Sequence, residues 1–333
     1  MAYVEWGYPE SVPSEGRRMI KLVLSDMDGT LVPFGHSSVS RRTLSAIAEL
    51  RDAGIEFGPA SGREPFDLMG YFDNDQTMGD TGIFANGKLV RLDGKDIFRL
   101  PLERAGVQAL VDFSARRDDL ATLVCSREQA RRGLPAFQVF GATRERFAKY
   151  ADDPETLSIP MTVGEELPAE DILTVDLICL SRDPARFAKV RDEAEAELPQ
   201  FDFVSPGPGC LDVLPHGWNK GTAVEVLSDA MGVDVEQIAF FGDSENDLAL
   251  MARVPNSFCV GNGTEDAQRA ARYHIGDSAD DSVAIGSPWP RTTGGSWCLR
   301  RPRGTRRPSW WIARARGACD AGLGRAPAGM GSL

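Results

Sequence analysis

The chain has 333 residues, of which 42% are hydrophobic and 26% charged, and its formal net charge is −12. This composition belongs to a globular protein of one large domain or two ordinary ones, and it excludes a mostly disordered, collagen-like or coiled-coil chain. Charge is unevenly spread: residues 287–333 hold nine arginines, no lysine and one acid, Asp320, a local +8 that leaves residues 1–286 at −20. A body this acidic repels nucleic acid and anionic membrane alike, so an anionic ligand there requires a metal ion, a lysine or helix N-termini.

Residues 1–18 precede any element, lack the order of a signal peptide, and read as a disordered extension. Residues 20–24 form a short apolar run without turn residues, which predicts a buried strand. Residues 40–54 place Leu44, Ile47, Ala48 and Leu50 near helical spacing, with Gly54 at the C-terminal end. Residues 55–60 read as the next strand, and Ser61-Gly62-Arg63 as the start of another helix. This βαβα alternation predicts a parallel sheet covered on both faces.

The middle differs. Asp93-Gly94 between short apolar runs signals a hairpin, and so does the SPGPG turn between residues 201–204 and 210–214. Helical stretches at 102–116 and 184–198 alternate with strands at 121–125 and 172–180, which predicts an inserted α+β unit. After it, residues 220–231 form an amphipathic helix ended by Gly232, and residues 238–241 a buried strand leading into a second acidic loop. The final segment, 287–333, holds four of the six tryptophans without any sustained apolar period. It reads as a disordered tail or as out-of-frame translation. No apolar run approaches the roughly 18–20 residues of a membrane span. Six cysteines without a CxxC pair make no disulfide framework, so a cytoplasmic, reducing setting is expected.

Four segments carry chemistry. Asp26 and Asp28 lie at the carboxyl end of the first strand, where ligands of open α/β sheets bind, and two adjacent acids repel unless a cation or a shared proton intervenes. Ser61 and Gly62 follow the second strand and offer a helix start to a phosphate oxygen. Lys220 opens a helix, where a cation opposes the helix dipole and so calls for a partner. Asp243, Asn246 and Asp247 follow a buried strand and Gly242, an oxygen-rich set suited to a hard ion such as Mg²⁺. Each has an ordinary reading too: an Asp-Gly turn, an N-cap, a surface lysine, and a capping box between Ser244 and Asp247.

Together the four segments resemble the haloacid dehalogenase (HAD) superfamily, and within it the Cof-type phosphatases with a type IIB cap. Asp26-Met27-Asp28-Gly29-Thr30 matches the first motif, Ser61-Gly62-Arg63 the second, Lys220-Gly221 the third, and Gly242-Asp243 with Asn246-Asp247 the fourth. Val260-Gly261-Asn262-Gly263 resembles the family's Gly-Asn loop. The resemblance implies a Rossmann-like α/β core of residues 19–86 and 210–286 and an inserted α+β cap of residues 87–209. It implies a Mg²⁺-dependent phosphatase acting on small phosphorylated metabolites, with no nucleic-acid or membrane partner. By the family pattern Asp26 is the nucleophile and Asp28 the general acid and base. Asp26, Asp28 (through its backbone carbonyl) and Asp243 hold the metal. Ser61, Gly62 and Lys220 bind phosphate, and Asn246 and Asp247 support the loop. A phosphosugar mutase and a non-catalytic metabolite-binding protein are the alternatives. No motif in residues 88–209 names the substrate, and none names an oligomeric state. The chain departs from the pattern where the family's closing helix gives way to the arginine-rich tail, and in the 18 residues before Met19.

Overall fold

The computed structural model describes residues 20–142, 160–181 and 183–286, together with residue 145 and two short strands, Val4–Glu5 and Cys298–Leu299, which pair antiparallel. The readings made for residues 1–18 and 287–333 otherwise lie outside the described residues.

β1 (Leu22–Ser25) is buried along its length. It leads to α1 (Arg41–Asp52), whose N-cap Ser40 accepts a hydrogen bond from the Thr43 N–H, and then to β2 (Glu56–Pro59). The helix expected at Ser61 starts later, as α2 (Pro65–Leu68), because Pro65 fixes the first helical position. β3 (Gly82–Phe84), β4 (Leu89–Leu92) and β5 (Lys95–Arg99) form an antiparallel ribbon. Its turn puts Asp93 and Gly94 at φ 51° and 74°, the double positive φ that a tight two-residue hairpin requires.

The next stretch builds a second sheet. It contains α3 (Arg104–Ala115), β6 (Leu120–Cys125), α4 (Arg127–Arg131), β7 (Phe137–Phe140), β8 (Met161–Val163), β9 (Val175–Cys179), α5 (Pro184–Glu197), β10 (Phe201–Gly207) and β11 (Cys210–Pro215). The strand order is β10-β11-β9-β6-β7-β8, antiparallel except for β7 with β8. The chain then returns through α6 (Lys220–Met231), β12 (Ile238–Gly242), α7 (Leu248–Arg253), β13 (Asn256–Cys259), α8 (Glu265–Ala270), β14 (Tyr273–His274) and α9 (Ser282–Gly286). β14-β13-β12-β1-β2 make a five-stranded, all-parallel sheet.

Side-chain alternation explains why both faces of that sheet are dry. Leu22, Leu24, Ile238 and Phe240 pack with Val224, Leu227, Leu250 and Met251 on one face. Val23, Ala239, Phe241 and Phe57 pack with Ile47 and Leu50 on the other. Period-two strands buried on both sides are the mark of a parallel sheet between helices. On one face of the second sheet Val107, Leu110 and Phe113 of α3 and Val190 of α5 meet Leu120, Val124 and Leu177. Its other face, with Ala121, Leu123, Phe137 and Ile178, takes Phe66 from the region just after β2.

Two details set where the units divide. The ribbon, expected with the insert from residue 87, packs on the parallel-sheet side, because Val90 completes the cover of α6. The turn at residues 208–209, expected to close the insert, lies within the β10–β11 hairpin, so β11 stays in the six-stranded sheet. The crossings between units are stapled. Lys88 Nζ donates to the Val213 carbonyl at 2.7 Å, Trp218 Nε1 donates to the Gly87 carbonyl at 2.9 Å, and Phe98 stacks on Trp218 with centroids 4.7 Å apart. Among the described residues no helix is long and apolar enough to cross a membrane.

Phe240 is fully buried at the centre of the parallel sheet. Phe240→Ala is expected to cost about 3–5 kcal/mol of unfolding free energy, read from urea denaturation. A loss below about 1 kcal/mol would contradict the described packing.

Candidate active site

Strand register brings the motifs to one edge. Ser25 is level with Phe241 on one side and Pro59 on the other. The residues that follow, Asp26, Ala60-Ser61 and Gly242-Asp243, therefore leave the sheet together at its carboxyl end. This is where open parallel sheets bind ligands.

Lys220 is the hub. It is the first residue of α6, behind the N-cap Asn219, whose Oδ1 accepts from the Gly221 and Thr222 N–H groups. Its side chain is fully buried, and Nζ donates to Asp26 Oδ1 at 2.7 Å and to Asp247 Oδ1 at 2.8 Å. These are the partners that its position against the helix dipole calls for. Asp247 Oδ2 in turn accepts the N–H groups of Asp243, at 2.9 Å, and Ser244, at 3.3 Å. The capping box of Ser244 and Asp247 is thus present, and the same Asp247 carboxylate also anchors the ammonium. Thr30 Oγ1 donates to Asp243 Oδ1 at 2.7 Å.

Asp26, Asp243 and Asp247 each offer a carboxylate oxygen within 4.8 Å of the others. All three are buried. Burial pushes the Asp26 carboxyl well above the usual range, with the Lys220 ammonium opposing and Asp247 reinforcing the shift. Burial, together with the Asp247 charge, pushes Asp243 up to about 7 against the Thr30 hydrogen bond. Burial works against the Lys220 charge, but Asp247 and Asp26 outweigh it and raise its pKa above the ordinary lysine value. Three acids against one ammonium leave residual negative charge in a dry site. Asp26 Oδ2 and Asp243 Oδ2 carry no hydrogen bond among the described residues. Two hard, unsatisfied oxygens beside excess negative charge fit a small divalent cation.

Asp28 stands apart from this cluster. Its side chain is 41% exposed and is held by the guanidinium fork of Arg63, Nε to Oδ2 at 2.7 Å and Nη2 to Oδ1 at 3.0 Å. Tyr71 donates to Oδ1 at 3.4 Å, and Arg63 also holds Asp67 at 2.6 Å. The third carboxylate of the cluster is therefore Asp247, while the Asp28 side chain is partly exposed and engaged by Arg63 and Tyr71. Ser61 is buried. Its N–H is taken by the Ile83 carbonyl and its Oγ accepts from the Arg63 N–H at 3.1 Å, so only its hydroxyl hydrogen is left to donate. Asn262 Nδ2 donates to the Gly29 carbonyl at 2.7 Å and its Oδ1 accepts the Ser278 N–H at 2.9 Å, bracing the first loop. A Cβ on Gly29, at φ +85°, would lie 2.8 Å from Asp243 Oδ2, so the first and fourth loops approach closely only because residue 29 is glycine.

Asn246 reaches away from the cluster. Its Nδ2 donates to Asn86 Oδ1 at 3.3 Å and to Asp212 Oδ2 at 3.4 Å, and Asn86 Nδ2 donates to Asp212 Oδ2 at 2.6 Å. Asn86 and Asp212 were not singled out from the sequence. Their local signals are an Asn-Gly pair, which reads as a turn, and an acid in an apolar strand, Leu-Asp-Val, which cannot face a dry core unpaired.

The family model of the haloacid dehalogenase-like hydrolases matches residues 23–285. An HMP-PP phosphatase of Yersinia pseudotuberculosis is 27% identical over 256 residues, covering 73% of this chain and 85% of that protein. The 5-amino-6-(5-phospho-D-ribitylamino)uracil phosphatase of Escherichia coli K12 is 24% identical over 269 residues, covering 79% and 93%. The solved structure of phosphatase BT1666 from Bacteroides thetaiotaomicron superposes with a TM-score of 0.66 at 24% identity, over 83% of this chain and 97% of that one. The subclass IIB sugar phosphatase BT4131 superposes with a TM-score of 0.64 at 19% identity, over 80% and 97%. These two likenesses show the fold.

Glu64, beside Arg63, is a buried acid. Its side chain is 2% exposed, with Oε2 3.3 Å from Arg127 Nε on α4, and burial pushes its carboxyl up to about 7. A raised carboxyl pKa means the native state binds more protons than the unfolded chain between about 4.5 and 7, so this group's contribution to stability is lost as pH rises through that window. Glu64→Gln is expected to gain up to about 3 kcal/mol relative to the parent on going from pH 4.5 to 8. Paired urea titrations check this, and parallel stability–pH curves would refute it. Separately, Lys220→Met strands two buried carboxylates and is expected to cost about 3–5 kcal/mol, read from urea denaturation near pH 7.

Proposed function

Because the chain belongs to the haloacid dehalogenase-like hydrolases, as a phosphatase of the Cof type, we propose that it hydrolyses small phosphorylated metabolites in a Mg²⁺-dependent reaction, through an aspartyl-phosphate on Asp26. The observation that carries this reading is the buried Lys220 bridging Asp26 and Asp247, with Asp243 beside them, at the sheet edge that also presents Ser61.

Lys220 ties down Asp26 Oδ1 and so presents Oδ2 outward. In the first half-reaction Asp26 Oδ2 bonds to phosphorus, the bond from phosphorus to the ester oxygen breaks, and Asp28 gives the departing oxygen its proton. In the second, Asp28 takes a proton from water, the water oxygen bonds to phosphorus, and the bond from phosphorus to Asp26 breaks to release phosphate. Asp28 lies two residues beyond Asp26 and is 41% exposed to water, and one of its oxygens must leave the Arg63 fork for the carboxyl to carry the proton. The Ser61 hydroxyl and the Gly62 N–H bind the phosphoryl oxygens, and the Lys220 ammonium supplies a preorganised positive charge. Asp26, Asp243 and the Asp28 backbone carbonyl would hold Mg²⁺, with Asp247 and Asn246 supporting the loop. The ion, when bound, offsets the repulsion between a carboxylate and a phosphate dianion.

The named relatives act on phosphorylated small molecules according to their names, HMP-PP and a phosphorylated ribitylaminouracil. We carry that class to this chain. The cap, built on the six-stranded sheet, sits over the phosphate loop, with Asp212 Oδ2 3.4 Å from where a Cβ on Gly62 would lie. The group that leaves with the ester oxygen is read there.

Hydrolysis of p-nitrophenyl phosphate is expected with Mg²⁺, to vanish with EDTA, and to return on adding excess Mg²⁺. Asp26→Asn is expected to lower kcat by at least about 10³-fold with its circular dichroism unchanged. Undiminished turnover in that variant, or turnover that resists chelation, would falsify the assignment.

A further inference from the structure

The loop that supplies two of the three clustered carboxylates is gripped between them by the cap. Asp243 and Asp247 face the cluster. Of the three residues in between, Glu245 and Asn246 face the other way. Glu245 is held by both terminal nitrogens of Arg191 on α5, Nη1 to Oε1 and Nη2 to Oε2, each at 2.7 Å. It also accepts the N–H of Ser205, on β10, at 3.1 Å. Asn246 reaches Asp212, on β11. Four consecutive peptide links thus connect the acidic cluster to three separate elements of the cap.

An ordinary surface ion pair is worth about 0–1 kcal/mol and fixes little. This one differs in geometry. It is bidentate, each side chain is about two-thirds covered (28% and 34% exposed), and a backbone N–H completes the set, so the Glu245 carboxylate has one orientation rather than many. Glu245 opens the single turn Glu245–Asp247, and Asp247 closes it. A displacement of Glu245 is transmitted through that turn to the Asp247 carboxylate, which holds both the Lys220 ammonium and the Asp243 N–H.

We propose that Arg191 is a positioning residue: by gripping Glu245 it couples the seating of the cap to the cation-binding geometry of Asp243 and Asp247. The inference rests on the phosphatase reading for its catalytic consequence, but not for its cation-binding consequence. The coupling is reciprocal, since a cap position that favours the cation is favoured by the cation to the same factor. Neither Arg191 nor Glu245 touches the reacting atoms. Their part is to make the site complete when the cap is down.

The test is calorimetric titration of MgCl₂ into the full chain, alongside kcat and KM for p-nitrophenyl phosphate. Arg191→Ala is expected to weaken Mg²⁺ binding about 5- to 20-fold and to lower turnover at limiting Mg²⁺, with turnover recovering as Mg²⁺ is raised. Arg191→Lys, which keeps the charge but not the fork, should fall between. Glu245→Gln removes the ion pair from the other side and should reproduce the Arg191→Ala loss if that variant folds poorly. Arg116→Ala, which breaks an ion pair to Glu197 elsewhere in the cap, should leave Mg²⁺ affinity unchanged. A folded Arg191→Ala that binds Mg²⁺ within twofold of the parent overturns the proposal, as does an equal loss in Arg116→Ala. If the parent binds Mg²⁺ and Arg191→Ala binds it weakly but no phosphate ester is turned over, the phosphatase reading fails and the coupling stands. If the parent hydrolyses esters and Arg191→Ala matches it throughout, the coupling alone fails.

Discussion

A buried ammonium held between two buried carboxylates organises this molecule. Lys220 has no exposure to water, and its partners come from opposite ends of the core sequence, 194 residues back at Asp26 and 27 residues on at Asp247. Burying any one of these charges alone would be prohibitively unfavourable, so each makes the others tolerable. The arrangement is also deliberately unbalanced. With Asp243 as the third acid, the site retains negative charge that only a cation or a proton can relieve. That imbalance fits a small divalent cation.

The two aspartates of the first loop illustrate how a fold separates roles by environment. Asp26 is buried and locked to Lys220, whereas Asp28, two residues later, lies in a wetter place under Arg63 and Tyr71. The turn at Gly29 allows this divergence, because a side chain there would collide with Asp243 and with Phe34. The same residue type is therefore dry and ion-paired in one position and half-open to water in the other.

Much of the core was legible in the sequence because its signals are local. The apolar runs at 20–24 and 238–241 became β1 and β12, the helix at 220–231 was read to its ends, and both hairpins fell at their Gly-containing turns. The lysine set against a helix dipole pointed to a hidden partner, and the structure shows two. Other features depend on distant pairing. Ser61 does not open a helix, since Pro65 does so and Ile83 claims the Ser61 N–H. The Arg63 fork on Asp28 spans 35 residues and the Asn86–Asp212 bond 126. No periodicity within a ten-residue window carries such information. The place of the ribbon at residues 82–99 was missed for a similar reason. Its hairpin signal is clear, but which sheet it covers is decided by Val90 fitting against α6.

The staples at the two crossings tie the six-stranded sheet and the parallel-sheet unit together. Lys88, in the ribbon, reaches across to the Val213 carbonyl of the six-stranded sheet, while Trp218 on the returning chain bonds the Gly87 carbonyl beside the ribbon. A foreign specificity unit grafted onto this base would accordingly have to offer a backbone carbonyl where Val213 now meets Lys88, or a buried ammonium would be left without its acceptor.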